Sequence, residues 1–288
     1  MTTISEQRYT ITERWFAGEY GPTRYWLSEP QQGLPVLLIH GYGALIEHWR
    51  PVMRPIARQH TLCAMDLYFF GYSARPNIRP SKELWAAQAA AVIENILPGP
   101  AVVVGHSMGG IAAVQLAHDY PQLVKGLVLV NSSGMLNPDQ PPSDLDRFFF
   151  NMTSAPLVGE MLANVFGNQW GARQGLRSAY YRKERVTNEL VELFSKPLRQ
   201  PGGAASYLAV TRSFNNFILD ARPGAISAPS LIIWGEEDRS IPPAIATLFK
   251  QRMLPQADIQ IIPESGHCPF DETPEAFCDK LLPWMAQL

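Results

Sequence analysis

The stretch from Val102 to Ala117 limits what this chain can become more than any other. Val102-Val103-Val104 is an unbroken β-branched run, Gly105-His106-Ser107-Met108-Gly109 follows, and Ile111-Ala112-Ala113-Val114-Gln115-Leu116-Ala117 has the apolar period of a helix. A buried strand must therefore become a helix within five residues. Gly105 and Gly109 are small where strand and helix nearly touch, and Ser107 between them is forced into a strained backbone conformation. The serine hydroxyl then projects beyond the strand's carboxyl end, beside the unpaired amino-terminal N–H groups of the helix. A Gly-rich turn without chemistry is the plain alternative, which only the rest of the chain can decide against.

The rest of the chain repeats that rhythm. Residues 9–16 and 23–28 alternate in a β-like way around Gly21-Pro22 and read as an antiparallel hairpin at a sheet edge. Val36-Leu37-Leu38-Ile39 is a buried strand ending in His40-Gly41-Tyr42-Gly43, and Thr61-Leu62-Cys63-Ala64-Met65 is the next, with Asp66 at its exit. Ser81 to Leu97 is a helix capped by Ser81, and Gly126-Leu127-Val128-Leu129-Val130 is the strand after the serine. Alternating strands and helices at this spacing give a parallel sheet with right-handed crossovers.

The alternation stops after Ser132-Ser133-Gly134 and resumes at Pro229-Ser230-Leu231-Ile232-Ile233-Trp234-Gly235. We expect a core from residues 1–134 and 222–288 and an inserted helical cap from 135–221. Leaving the core after a strand's carboxyl end, the cap is the natural roof of a ligand site. Among its large apolar residues, Phe148, Phe149, Met152, Met161 and Trp170 are the candidates to line the site; any one of them could instead simply pack the cap onto the sheet. Two further strand exits carry chemistry, Glu236-Glu237-Asp238 after Gly235 and Ser265-Gly266-His267 after Asp258-Ile259-Gln260-Ile261-Ile262. Thr273 and Pro274 then open the last helix.

A serine hydroxyl becomes a useful nucleophile when an imidazole takes its proton and a carboxylate holds that imidazole's tautomer. Ser107, His267 and Asp238 fit these roles in the chain order serine, acid, histidine. Other readings stay open: His267 as a loop-stabilising histidine, Asp238 as a cap before Pro242, and Glu236 or Glu237 as the acid. The backbone N–H groups of Tyr42 and Met108 are the expected oxyanion donors, and His40 and Asp66 read as structural anchors of their loops.

Charge narrows the ligand. With 24 basic and 26 acidic residues and a net charge of -2 there is no case for nucleic acid. The amino terminus lacks an apolar targeting core, and no run approaches the roughly 18 apolar residues of a spanning helix. Cys63, Cys268 and Cys278 form no Cys-x-x-Cys pair and the histidines no zinc-type spacing, so we expect a cytoplasmic protein without metal or cofactor.

His40-Gly41-Tyr42-Gly43, Asp66 through Gly71, Gly105 through Gly110, Trp234 through Asp238 and Gly266-His267 together resemble the α/β-hydrolase superfamily over nearly the whole chain outside the cap. The resemblance implies a mostly parallel eight-stranded sheet flanked by helices, and a serine hydrolase with that triad. Ser107 stands where haloalkane dehalogenases and epoxide hydrolases of that superfamily carry an aspartate. Cys268 follows the histidine where its C–C hydrolases usually carry a tryptophan. Gly266-His267-Cys268-Pro269-Phe270-Asp271-Glu272 and Gly43 through Arg50 look like the chlorophyll dephytylase and pheophytinase group. That implies a bulky hydrophobic ester, at the extreme the phytyl ester of chlorophyll or pheophytin, met at the periphery of a pigment-bearing membrane. A general esterase, lipase or thioesterase, and a ligand receptor on the same fold, are the alternatives.

Overall fold

In the computed structural model, residues 10–135, 168–220, 222 and 224–288 are described. The strands are β1 (Thr10–Gly18), β2 (Gly21–Glu29), β3 (Pro35–Ile39), β4 (Thr61–Met65), β5 (Ala101–His106), β6 (Val124–Val130), β7 (Ser230–Gly235) and β8 (Asp258–Ile262). They form one sheet in the order β1-β2-β4-β3-β5-β6-β7-β8. Every pairing from β4 to β8 is parallel, and β2 joins β1 and β4 antiparallel. The expected edge hairpin is there, but its turn falls at Glu19-Tyr20, because Gly18 pairs with Gly21 and Pro22 already lies within β2.

Continuous apolar runs form the central strands because both of their faces are covered. Leu37, Ile39, Ala101 and Val103 point into one cluster with α2 (Lys82–Ile96) and α3 (Met108–Asp119). Val36, Leu38, Val102 and Val104 point into the other, with α1 (Arg50–Ala57) and the carboxyl-terminal helix. At the edge β1 alternates exposed and half-buried residues. Ser81 caps α2, its hydroxyl accepting from Leu84 N–H at 3.1 Å.

Between β6 and β7 the described residues include α4 (Gln169–Ala179), α5 (Asn188–Ser195) and α6 (Gly203–Thr211), linked by short 3-10 turns. After β7 come α7 (Ala244–Arg252), the four-residue α8 (Pro269–Glu272) and α9 (Pro274–Met285). Thr273 does precede α9, but its hydroxyl is hydrogen-bonded to Ser265 Oγ and the Pro269 carbonyl rather than capping the helix. Among the described residues no helix is long and apolar enough to cross a membrane.

Candidate active site

Ser107 sits between β5 and α3 with φ 52° and ψ -119°, a strained conformation for a residue with a side chain. Its neighbours explain how it is held. A Cβ on Gly105 would lie 2.5 Å from the Gly109 carbonyl oxygen, and one on Gly109 would strike the carbonyls of Ile39 and His40. The turn is tied from three sides: Ser107 N–H donates to Val130 O at 3.0 Å, and its carbonyl accepts from Gly110 N–H at 2.9 Å and Ser133 N–H at 3.1 Å.

Asp238 and His267 meet across the exits of β7 and β8. His267 Nδ1 is 2.7 Å from Asp238 Oδ2, and both residues are buried. The same oxygen accepts from Asn131 Nδ2 at 2.7 Å, while Asp238 Oδ1 accepts from Ser240 and Ile241 N–H at 2.8 and 3.0 Å. The acid thus caps its own loop with one oxygen and reaches the imidazole with the other, so the two sequence readings of Asp238 coexist. Glu236 is exposed and Glu237 half-buried. Asn131, which sequence reasoning passed over, stands at the exit of β6 with φ 44° and also accepts from Gly235 N–H at 3.2 Å. Its only sequence signal was a polar residue closing an apolar strand.

His40 is fully buried, takes Leu67 N–H on Nε2 at 3.0 Å and donates Nδ1–H to Gly41 O at 2.8 Å. Burial holds its pKa down at about 4, which keeps it neutral. Asp66 accepts from Ile46 and Tyr72 N–H and from Arg24, bracing the loop that carries Tyr42. Tyr42 follows β3, and Met108 opens α3, where N–H groups have no partner in a preceding turn.

Ser107, His267 and Tyr42 all line a cavity of about 520 Å³. Its opposite wall is built by Gly171, Ala172, Gly175, Leu176 and Ala179 of α4, Phe194 of α5 and Tyr207, Leu208 and Thr211 of α6. Trp170, expected in that wall, is 57% exposed instead and is not among the lining residues. One residue turns a helix by about 100°, so Trp170 faces away from the stripe that begins at Gly171. Phe148, Phe149, Met152 and Met161 lie outside the described residues.

A buried polar group beside Ser107 and His267 was also missed by the sequence reading. His106 Nε2 donates to the His267 carbonyl at 2.9 Å. Tyr180 Oη donates to Asp271 Oδ2 at 2.6 Å and therefore accepts from His48 Nε2–H at 2.7 Å. Burial pushes the His48 pKa down to about 3 and that of His106 well below its ordinary value, so both stay neutral. Burial likewise drives the Cys268 thiol well above its usual range, which makes it unreactive.

The profile described as "Alpha/beta hydrolase family" matches residues 36–280. A 2-hydroxymuconate semialdehyde hydrolase from Pseudomonas sp. strain CF600 is 27% identical, the match covering 84% of this chain and 83% of that protein. A pimeloyl-[acyl-carrier protein] methyl ester esterase from Shewanella oneidensis is 28% identical over 89% of this chain and 92% of its own. Among solved structures, a serine hydrolase involved in carbazole degradation superposes with a TM-score of 0.79 at 23% identity, covering 97% of this chain and 100% of the other.

Proposed function

We propose that this chain, which belongs to the alpha/beta hydrolase family, is a serine hydrolase that cleaves an uncharged hydrophobic carboxylic ester through an acyl-enzyme. The observation that carries this reading is the opening of Ser107 and the Asp238-paired His267 onto one cavity. Ser107 Oγ attacks the ester carbonyl as His267 takes its proton, and the imidazolium is stabilised by Asp238 Oδ2. Backbone N–H groups of Tyr42 and Met108 stabilise the oxyanion. The alkoxide leaves with the proton from His267, and a water then repeats the sequence on the acyl-serine.

Leu176, Phe194, Leu198 and Leu208 make the wall apolar, which supports an aliphatic or aromatic acyl or alcohol group of drug-like size. The phytyl ester of a chlorophyll-type pigment is the finest form of this reading and rests on the residues around His267. The relative from Pseudomonas sp. strain CF600 favours a second reading, hydrolysis of a compound such as 2-hydroxymuconate semialdehyde.

Four assays on the purified protein separate them: fluorophosphonate labelling, a nitrophenyl ester series from acetate to laurate, detergent-dispersed chlorophyll a and pheophytin a, and 2-hydroxymuconate semialdehyde followed by its absorbance. A fluorophosphonate adduct on Ser107 with turnover rising along the ester series is the expected result. Release of chlorophyllide or pheophorbide carries the pigment reading. Turnover of the semialdehyde alone replaces the ester reading, and no adduct with no turnover leaves a ligand receptor.

A further inference from the structure

Glu272 is fully buried, yet among the described residues its carboxylate has neither a lysine nor an arginine as a hydrogen-bond partner; its four partners there are backbone N–H groups. Oε1 accepts from Gly266 and Cys268, both at 3.1 Å. These are the residues on either side of His267. Oε2 accepts from Tyr181 at 2.7 Å and Arg182 at 2.9 Å, in the chain that leaves α4.

The backbone of His267 itself completes the cradle. Its N–H donates to Ala179 O at 3.0 Å, and its carbonyl accepts from His106 Nε2 at 2.9 Å. Counting both flanking N–H groups, the peptide around the imidazole is held by Glu272, by the end of α4 and by the residue preceding Ser107. A second observation points to the same cradle. A Cβ on Gly266 would lie 2.5 Å from Tyr181 N, 2.8 Å from Ala179 O and 2.9 Å from Glu272 Oε1, so the close approach of the two segments requires glycine there.

We propose that Glu272 is a positioning residue: its carboxylate fixes the His267 loop to the chain at the end of α4, so that the wall of the cavity and the base on Ser107 move as one body. The proposal deepens the hydrolase reading and rests on it. The carboxylate is the group suited to the task because four converging donors need an acceptor on every side. A glutamine of the same shape keeps one acceptor oxygen and turns an NH₂ toward two N–H groups, which then lose their partner. The chemistry is not altered by that exchange, only the place from which the imidazole acts.

Glu272→Gln tests this. A misplacement well under an ångström at the base is expected to lower kcat, and the rate of fluorophosphonate labelling of Ser107, by about 10- to 100-fold. KM for a short nitrophenyl ester should stay within about threefold, since no lining group of the cavity is changed. The hydrogen-bonded Nδ1–H proton of His267 should shift or broaden in the downfield NMR spectrum, a signature that a purely structural role would leave in place. A folded Glu272→Gln protein with wild-type kcat and an unmoved His267 resonance overturns the proposal. Glu272→Asp, which keeps the charge and withdraws the carboxylate by one methylene, serves where the glutamine variant does not fold.

Native-state hydrogen exchange on the wild type needs no variant. Gly266, Cys268, Tyr181 and Arg182 N–H should open together, and independent opening of the two pairs also overturns the proposal. If the wild type neither labels at Ser107 nor turns over esters, the hydrolase reading fails while the exchange and resonance measurements still decide the role of Glu272.

Discussion

The sheet and the segment between β6 and β7 furnish opposite sides of one cavity by different means. From the sheet come groups at strand exits: Tyr42 after β3, Ser107 after β5 and His267 after β8 line the cavity, and buried Asn131 after β6 and Asp238 after β7 support the histidine. Each of these strands is fixed in register by its neighbours, and β3, β5 and β7 are buried along their whole length. From the inserted segment come small and apolar residues on short helices of eight to eleven residues. Reacting groups need a fixed distance and direction, and a parallel sheet supplies both. A wall needs volume and apolarity, which short helices can supply without such a framework.

The comparison is broken most directly at the strand exits. Ser107→Ala should lower kcat by roughly 10⁴ to 10⁶ while the far-UV spectrum and melting transition are retained, because triad members act as a unit. Retention of a tenth of wild-type turnover would remove Ser107 from the chemistry. Asp238→Asn should cost about 10⁴, since an amide at that position favours the wrong imidazole tautomer. The control is Glu237→Gln, expected to stay within about threefold; the opposite ranking would assign the acid to the neighbouring residue.

What the sequence made legible follows the same division. Two-sided burial obliges a central strand to be continuously apolar, so β3, β5, β6 and β7 could be located by their runs, and a serine, acid or histidine closing such a run stands out. Glu272 was given no role of its own, since in the sequence it only closes the stretch after His267 just before Thr273 and Pro274, and four N–H groups from two distant segments converge only in three dimensions. In the inserted segment, choosing large side chains selected Trp170, which the helix turns outward. The residues that make space there are Gly171, Ala172, Gly175 and Ala179. Small residues create a cavity by what they omit, and a search for bulk passes over them.

The seam between the two regions is sensitive to acid. His48 is buried against Tyr180 and Phe194 of the inserted segment, with its pKa held down at about 3 by burial. In the unfolded chain it titrates near 6.5, so between that value and about 3 the unfolded state binds a proton that the folded state does not. The stability this histidine allows at neutral pH is therefore lost as pH falls below about 6.5, by about 1.4 kcal/mol per pH unit. Asp66, raised to about 6 by burial, acts in the opposite sense by taking up a proton in the folded state first. Comparing variants isolates the histidine: in urea unfolding at pH 7, 6 and 5, His48→Gln should gain on the wild type at each step down. A pH-independent difference between the two proteins would mean that His48 takes up its proton equally readily in the folded and unfolded chains.

The smallest effect concerns the wall itself. Gly175 lines the cavity, and a Cβ built on it meets nothing within 4 Å, so a longer side chain there enters open space. Gly175→Leu should therefore occupy volume that an ester chain otherwise fills. Each methylene excluded from an apolar site forfeits at most about 0.8 kcal/mol, close to fourfold in kcat/KM. Across the acetate-to-laurate series the variant should match the wild type most closely on the shortest esters and fall progressively behind on longer ones, with its optimum displaced by a few carbons. Trp170→Ala, five positions earlier on the same helix and turned outward, should leave the chain-length profile unchanged. If the tryptophan variant shifts that profile and the glycine variant does not, the ester chain runs along the outer face of α4, and small residues at 171, 172, 175 and 179 are packing features rather than the wall of the site.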